Sequence, residues 1–177
     1  IEVTSPPDVG STFWFQLIFQ IPDHTAVEAA APVPASMHDL SAVKLLYVED
    51  NLMNQKVMNL LLRPYQLHPA IANNGQEALD ILKKRSFDLV LMDLRMPVMD
   101  GFEATRLLRD PTSPYFADQL PIIGVTADVF DESTQLALSL GMNDILIKPL
   151  VKEKLIATIL HYAPKQQARH SDNASEA

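Results

Sequence analysis

No cysteine occurs among the 177 residues. Disulfide frameworks and thiolate-held metals are therefore excluded, and the composition fits a reducing cytoplasm. Glycine is scarce, with five residues in the whole chain, and no glycine-rich turn follows the first long apolar strand-like run. A Rossmann-type nucleotide site, which needs such a turn, is thereby ruled out. Positive charge is also in deficit: 14 Lys and Arg stand against 22 Asp and Glu, a formal charge of −8. A nucleic-acid surface, which would show a basic patch, is not expected. Long apolar runs are missing too. The aromatic stretch at 13–19 is far shorter than the ~20 residues of a membrane helix. The chain starts on Ile1, which reads as a fragment or a processed product.

What is present is concentrated at the ends of short apolar runs. Leu45-Leu-Tyr-Val48 runs into Glu49-Asp50, Leu89-Val-Leu-Met92 into Asp93, and Ile145-Leu-Ile147 into Lys148-Pro149. Such runs, bounded by turn signals, read as strands buried on both faces of a parallel sheet. Open α/β sheets place their ligands at the carboxyl ends of strands, where these charges lie. Strands are expected at 43–48, 69–72, 89–92, 122–125 and 145–147, and helices at 51–63, 75–85, 102–109, 132–140 and 153–162. Pro64 should stop the first helix and Gly141 cap the fourth. A proline-marked loop is expected over 111–121. The alternation is that of a doubly wound α/β sheet, and right-handed crossovers bring every strand's carboxyl end to one edge.

The ordered set Glu49-Asp50, Asp93 with Met96-Pro97 and Asp100-Gly101, Thr126-Ala127 and Lys148-Pro149 resembles the receiver domain of two-component response regulators. The resemblance spans 41–163, and the stretch Val48-Glu-Asp-Asn-Leu-Met-Asn-Gln55 is similar to receivers fused to hybrid sensor histidine kinases. It implies a flavodoxin-like, doubly wound, five-stranded parallel sheet with helices on both faces. It also implies Asp93 as phosphoacceptor, Lys148 and Thr126 as groups that contact the phosphoryl oxygens, and a cis peptide before Pro149. Crowded carboxylates raise one another's pKa unless a cation joins them, and Mg²⁺ takes oxygen ligands. The family pattern makes Asp50, Asp93 and the Arg95 carbonyl direct ligands, with Glu49 acting through water.

Two positions depart from common receivers. Ile145 stands where many carry an aromatic switch residue, so either switching is weak or Ile145 fills that space. Arg95 and Asp128 flank the mouth with opposite charges, and their pairing would shield the phosphorylated site from water.

Residues 1–21 carry two strand-like runs around Pro6-Pro-Asp-Val-Gly10, and Gly10-Ser-Thr-Phe-Trp-Phe15 resembles the last hairpin of a histidine-kinase ATP-binding domain. The hairpin is read as a remnant of that domain. The kinase's nucleotide-binding and phosphorylatable-histidine motifs are absent. An Ala/Pro-rich linker at 22–40 and a polar, disordered tail at 164–177 complete the expected organisation. The expected partners are a phosphohistidine domain of the parent or of another kinase, and a histidine phosphotransfer protein. Neither nucleic acid nor direct membrane contact is expected, and a parent anchored in the inner membrane is compatible with this cytoplasmic module. The alternative is a docking receiver that is never phosphorylated. A haloacid-dehalogenase-like phosphatase would need a second acid two residues past the nucleophile, where Arg95 stands.

Overall fold

The computed structural model describes residues 2–5, 10–14, 40–127 and 131–163. The linker, the tail, Asp128 and positions 15–19 of the aromatic stretch lie outside the described residues. The chain divides into two units, residues 1–36 and 37–177. The first holds an antiparallel hairpin of β1 (Glu2–Thr4) and β2 (Thr12–Trp14), with Val3 opposite Phe13. Ser5 and Ser11 hydroxyls meet at 2.7 Å where the strands part. The expected hairpin is present among the described residues.

In the second unit, strands and helices alternate: β3 (Leu45–Val48), α1 (Leu52–Leu62), β4 (Ala70–Ala72), α2 (Gly75–Leu82), β5 (Leu89–Asp93), α3 (Gly101–Arg109), β6 (Ile122–Thr126), α4 (Asp131–Ser139), β7 (Asp144–Ile147) and α5 (Lys152–Tyr162). The strands form one parallel sheet in the order β4-β3-β5-β6-β7. Side chains alternate across a strand, and the core divides accordingly. Leu45, Tyr47, Leu89, Leu91, Ile123 and Val125 pack with Met58 and Leu62 of α1 and with Leu155 and Ile159 of α5. Leu46, Val48, Val90, Met92 and Ile122 face the other way, onto Ala78, Leu79, Ala104, Leu108 and Ala137 of α2, α3 and α4. Helices on both faces explain why β3 and β5 read as unbroken apolar runs instead of alternating ones.

The end of α1 differs from expectation in a small way. The α-helix closes at Leu62, but Pro64 does not end helical backbone; it sits in the opening of a 3₁₀ turn over Arg63–Tyr65. Its missing N–H costs nothing there, because the first N–H groups of a helical turn have no internal partner. Arg109 ties the 111–121 loop to the turn after α4. The Arg109 guanidinium donates to the carbonyls of Ala117 (2.6 Å), Leu120 (2.8 Å) and Gly141 (3.0 Å). Gly141, at φ +99°, turns the chain out of α4 as a glycine cap should.

Candidate functional site

Strand order reverses between β3 and β5, since β4 lies outside β3 and β6 outside β5. Such a switch point opens a crevice at the strands' carboxyl ends. Val48 is level with Met92, so the next residues, Glu49 and Asp93, emerge side by side. Across the crevice Thr126 pairs in register with Ile147, and the Lys148 N–H donates to the Thr126 carbonyl (2.7 Å). The Lys148–Pro149 peptide is cis. The Lys148 ammonium then reaches Asp93 Oδ2 at 2.6 Å and Glu49 Oε2 at 2.7 Å. Thus Glu49, Asp93, Thr126 and Lys148, separated widely in sequence, converge at one sheet edge.

Glu49, Asp50 and Asp93 each present a carboxylate oxygen, and these oxygens lie within 4.8 Å of one another. Glu49 and Asp93 are buried, whereas Asp50 is exposed. Oxygen donors of this kind, one of them open to solvent, fit a hard dication that keeps part of its water. Burial pushes the Asp93 carboxyl above its ordinary value, and hydrogen bonds from Lys148 and the Arg95 N–H only partly offset this. Burial pushes Glu49 the same way, but there donors from Lys148, Asn54 and Tyr47 prevail and leave it below its ordinary value. Burial alone would lower Lys148; its two carboxylate partners outweigh that and raise it.

The segment after Asp93 is tightly pinned. The Arg95 N–H donates to Asp93 Oδ1 at 3.1 Å. A Cβ on Gly101 would overlap the Asp93 carbonyl oxygen, so only glycine allows this close approach. The Gly75 N–H, opening α2, holds the Met99 carbonyl at 2.9 Å. Between these points Pro97-Val98-Met99 makes a γ-turn, with the Met99 N–H on the Pro97 carbonyl at 2.9 Å and Val98 at φ +73°. This is the strained form of the turn, and it leaves Val98 85% exposed beside the crevice.

Ile145 is buried, with its Cδ1 2.6 Å from where a Cβ on Gly124 would stand. Met142 Sδ and Leu94 Cδ2 crowd the same point at 2.9 and 3.2 Å. Ile145, where many receivers carry an aromatic, thus packs into the space over Gly124. Gly124→Ala should overfill this pocket and lower stability by about 1–3 kcal/mol, read as a lower urea midpoint at unchanged slope. An unaltered midpoint would show that the three side chains yield freely. Asp128 lies outside the described residues, so its expected pairing with Arg95 is not placed; Arg95 itself is exposed.

Several residues that hold the site were not singled out from sequence. Tyr47 donates its hydroxyl to Glu49 Oε2 (2.8 Å), and Asn54 Nδ2 donates to Oε1 (2.8 Å). The buried Gln55 bridges the Glu49 carbonyl (2.7 Å) to Asn73 Oδ1 (3.0 Å). Asn51 caps α1 by accepting the N–H groups of Met53 and Asn54. The available signal was the spacing of Asn51, Asn54 and Gln55, which puts polar groups on one face of a helix's first turn.

A family model for the response regulator receiver domain matches residues 45–160. The chain belongs to the response-regulator receiver family. The autoinducer 2 sensor kinase/phosphatase LuxQ of Vibrio vulnificus is 31% identical to the chain over 172 residues, covering 96% of it and 19% of LuxQ. The chain spans between 5% and 19% of the length of the curated hybrid and sensor kinases it matches. Among solved structures, the receiver domain of the Pseudomonas aeruginosa sensor histidine kinase PA1611, with magnesium in its active-site cleft, is 32% identical. It superposes with a TM-score of 0.61 over 68% of this chain and 96% of that one. A Saccharomyces cerevisiae complex of the histidine phosphotransfer protein Ypd1 with the receiver domain of Ssk1 is 30% identical, at TM-score 0.61 over 73% and 94%. The five-stranded parallel sheet is the one expected of a receiver.

Proposed function

We propose that this receiver works in a phosphorelay: Asp93 accepts a phosphoryl group from a partner's phosphohistidine and yields it to a histidine phosphotransfer partner, or holds it to regulate a parent hybrid kinase. The observation that carries this is Lys148 seated on Asp93 Oδ2 beside the carboxylate cluster. An Asp93 oxygen attacks phosphorus in line; the new O–P bond forms as the histidine N–P bond breaks, and the released imidazole nitrogen takes up a proton. Asp50, Asp93 and the Arg95 carbonyl would hold Mg²⁺ directly, with Glu49 reaching it through water. When bound, the ion neutralises charge on the transferring phosphoryl oxygens. Lys148 leaves Asp93 for one of those oxygens, acting as a point charge. The Thr126 hydroxyl, at the end of β6, donates to another. The similarity to LuxQ over 96% of the chain supports reading residues 1–21 as the end of a kinase ATP-binding domain, 22–40 as a linker and 41–163 as the receiver proper.

The face that meets the partner follows from exposure. On α1, Gln55, Met58 and Leu62 turn inward, while Leu52, Met53, Val57 and Leu60 stay exposed. A helix apolar on its outer side as well marks an interaction surface. It starts two residues past Asp50, with Val98 also exposed in the acceptor loop. This suits a helical phosphohistidine donor laid along α1, as the likeness to the receiver in the Ypd1 complex supports.

The test mixes the receiver with a phosphorylated histidine phosphotransfer protein and follows its phosphohistidine. Transfer should occur in Mg²⁺ and stop in EDTA or with Asp93→Asn. A receiver that binds Mg²⁺ and the partner but never gains phosphate would be a docking module. Leu60→Glu should slow transfer about tenfold, a ~1.4 kcal/mol interface loss, while labelling by acetyl phosphate is unchanged. Equal slowing of both would place Leu60 in the fold and not at the interface.

A further inference from the structure

Glu49 is 1% exposed, and its two carboxylate oxygens receive three short hydrogen bonds and one long one. Oε2 receives the Tyr47 hydroxyl (2.8 Å) and the Lys148 ammonium (2.7 Å). Oε1 receives Asn54 Nδ2 (2.8 Å) and the Asn51 N–H (3.3 Å). A glutamate has three side-chain torsions and would otherwise be free to turn toward the cluster's other acids. Here it is gripped by both oxygens, from below by a core tyrosine and from above by the first turn of α1. Tyr47 is 1% exposed and packed among Leu45, Met58, Leu62 and Leu155. A phenol is a costly group to bury there unless its hydroxyl has a fixed partner. Phenylalanine would fill the same volume, so packing does not account for the hydroxyl.

We propose that Tyr47 and Asn54 are positioning residues for the phosphoryl-transfer site, holding Glu49 in the rotamer from which it serves Lys148 and, through the lone pair that the long Asn51 N–H contact (3.3 Å) uses only weakly, the metal's water. Tyr47 approaches Oε2 from the core, the oxygen that Lys148 also uses, and so sets where the ammonium rests between Glu49 and Asp93. Asn54 fixes Oε1 from the crevice side and keeps the carboxylate plane from rotating. The pair contacts neither phosphoryl group nor metal, and acts only through Glu49. Partners that orient a metal site's acids typically change affinity by ~10–100-fold when removed.

The inference rests on the reading of Glu49, Asp50 and Asp93 as a magnesium site, and the test keeps the two apart. Mg²⁺ affinity of the whole chain is measured by calorimetry for wild type, Tyr47→Phe, Asn54→Ala, Glu49→Gln and the two double variants. Each single positioning variant should weaken Mg²⁺ about tenfold, and the loss should vanish when Glu49→Gln is already present. The initial rate of acetyl-phosphate labelling at saturating Mg²⁺ should fall far less than the Mg²⁺ affinity. Asn54→Ala, on a half-buried helical position, tests the idea even if Tyr47→Phe folds poorly. Unchanged Mg²⁺ affinity in Tyr47→Phe and Asn54→Ala, or losses that persist undiminished in Glu49→Gln, would overturn the positioning role. No Mg²⁺ binding by wild type would instead overturn the metal site itself.

Discussion

Asp93→Asn is expected to abolish phosphoryl acceptance and, in metal-free buffer near neutral pH, to melt at a higher temperature than wild type. The first effect is chemical: an amide oxygen is a poor nucleophile and the phosphorylated product would not form. The second follows from the burial that pushes the Asp93 carboxyl up against the partial help of Lys148 and the Arg95 N–H. An acid whose folded pKa exceeds its unfolded one binds its proton more tightly when folded. Stability therefore falls as pH rises from the ordinary value of 3.8 through the raised one, and the penalty is complete above the raised value. Asparagine has nearly the same volume and no charge, so it removes the penalty while Lys148 keeps Glu49. Thermal scans in EDTA should show the variant ahead at pH 7.5 and the gap closing near pH 4. In Mg²⁺ the gap should narrow or invert, because a ligand at 100 times its Kd adds about 2.7 kcal/mol to the form that binds it. A variant that melts lower in EDTA at pH 7.5 would show that Lys148 stabilises the Asp93 anion more than burial penalises it.

Lys148→Met should do the opposite to stability and also slow the chemistry. It leaves Glu49 and Asp93 buried without their shared cation. Breaking a buried pair by removing one partner costs ~3–5 kcal/mol, and Lys148, 21% exposed at its side chain, belongs at the low end of that range. The pH dependence identifies the cause. Lys148 is held above its ordinary 10.5, so its contribution is complete below that pH and is lost as pH rises through the raised value. Wild type should therefore lose stability on that alkaline limb, and the variant should lack this component. Glu49 is held below its ordinary value in part by Lys148; its contribution is present above 4.5 and disappears as pH falls through the lowered value, and this acid limb should weaken in the variant. Phosphoryl transfer should slow by roughly 10²–10³-fold, the usual loss for one preorganised electrostatic contact. Added Mg²⁺ should restore part of the stability by supplying the missing positive charge, but not the rate. Recovery of both would mean that Lys148 serves only to neutralise the resting site.

The parts of the site legible in the sequence are those written locally. Leu89-Val-Leu-Met92 followed by Asp93 states a buried strand and an acid at its end, and the same grammar marks Glu49 and Lys148. That every strand's carboxyl end lies on one edge follows from parallel pairing and right-handed crossovers, but the strand order that brings Glu49, Asp93 and Lys148 together is read from the fold. Tyr47 was hidden because a tyrosine in a core strand reads as packing until its hydroxyl is seen on Glu49. Arg109 was hidden for a different reason. Its acceptors at Ala117, Leu120 and Gly141 are loop carbonyls as far as 32 residues away, and no side-chain pattern announces them. Asn54 and Gln55 lay within a motif read for its likeness, while their partners, Glu49 and Asn73, needed the fold to be found. Boundaries shifted where caps act locally, as at Pro64, whose conformation suits the opening of a 3₁₀ turn as well as the end of a helix.

The central claim is that phosphate resides on Asp93. The most direct measurement phosphorylates the receiver with acetyl phosphate in Mg²⁺, reduces the acyl phosphate with borohydride, and locates the resulting homoserine by peptide mass mapping. The account predicts homoserine at position 93 alone, absent in EDTA and in Asp93→Asn. Reduction at Asp50 or elsewhere, or no reduction in a receiver shown to bind Mg²⁺, would contradict it.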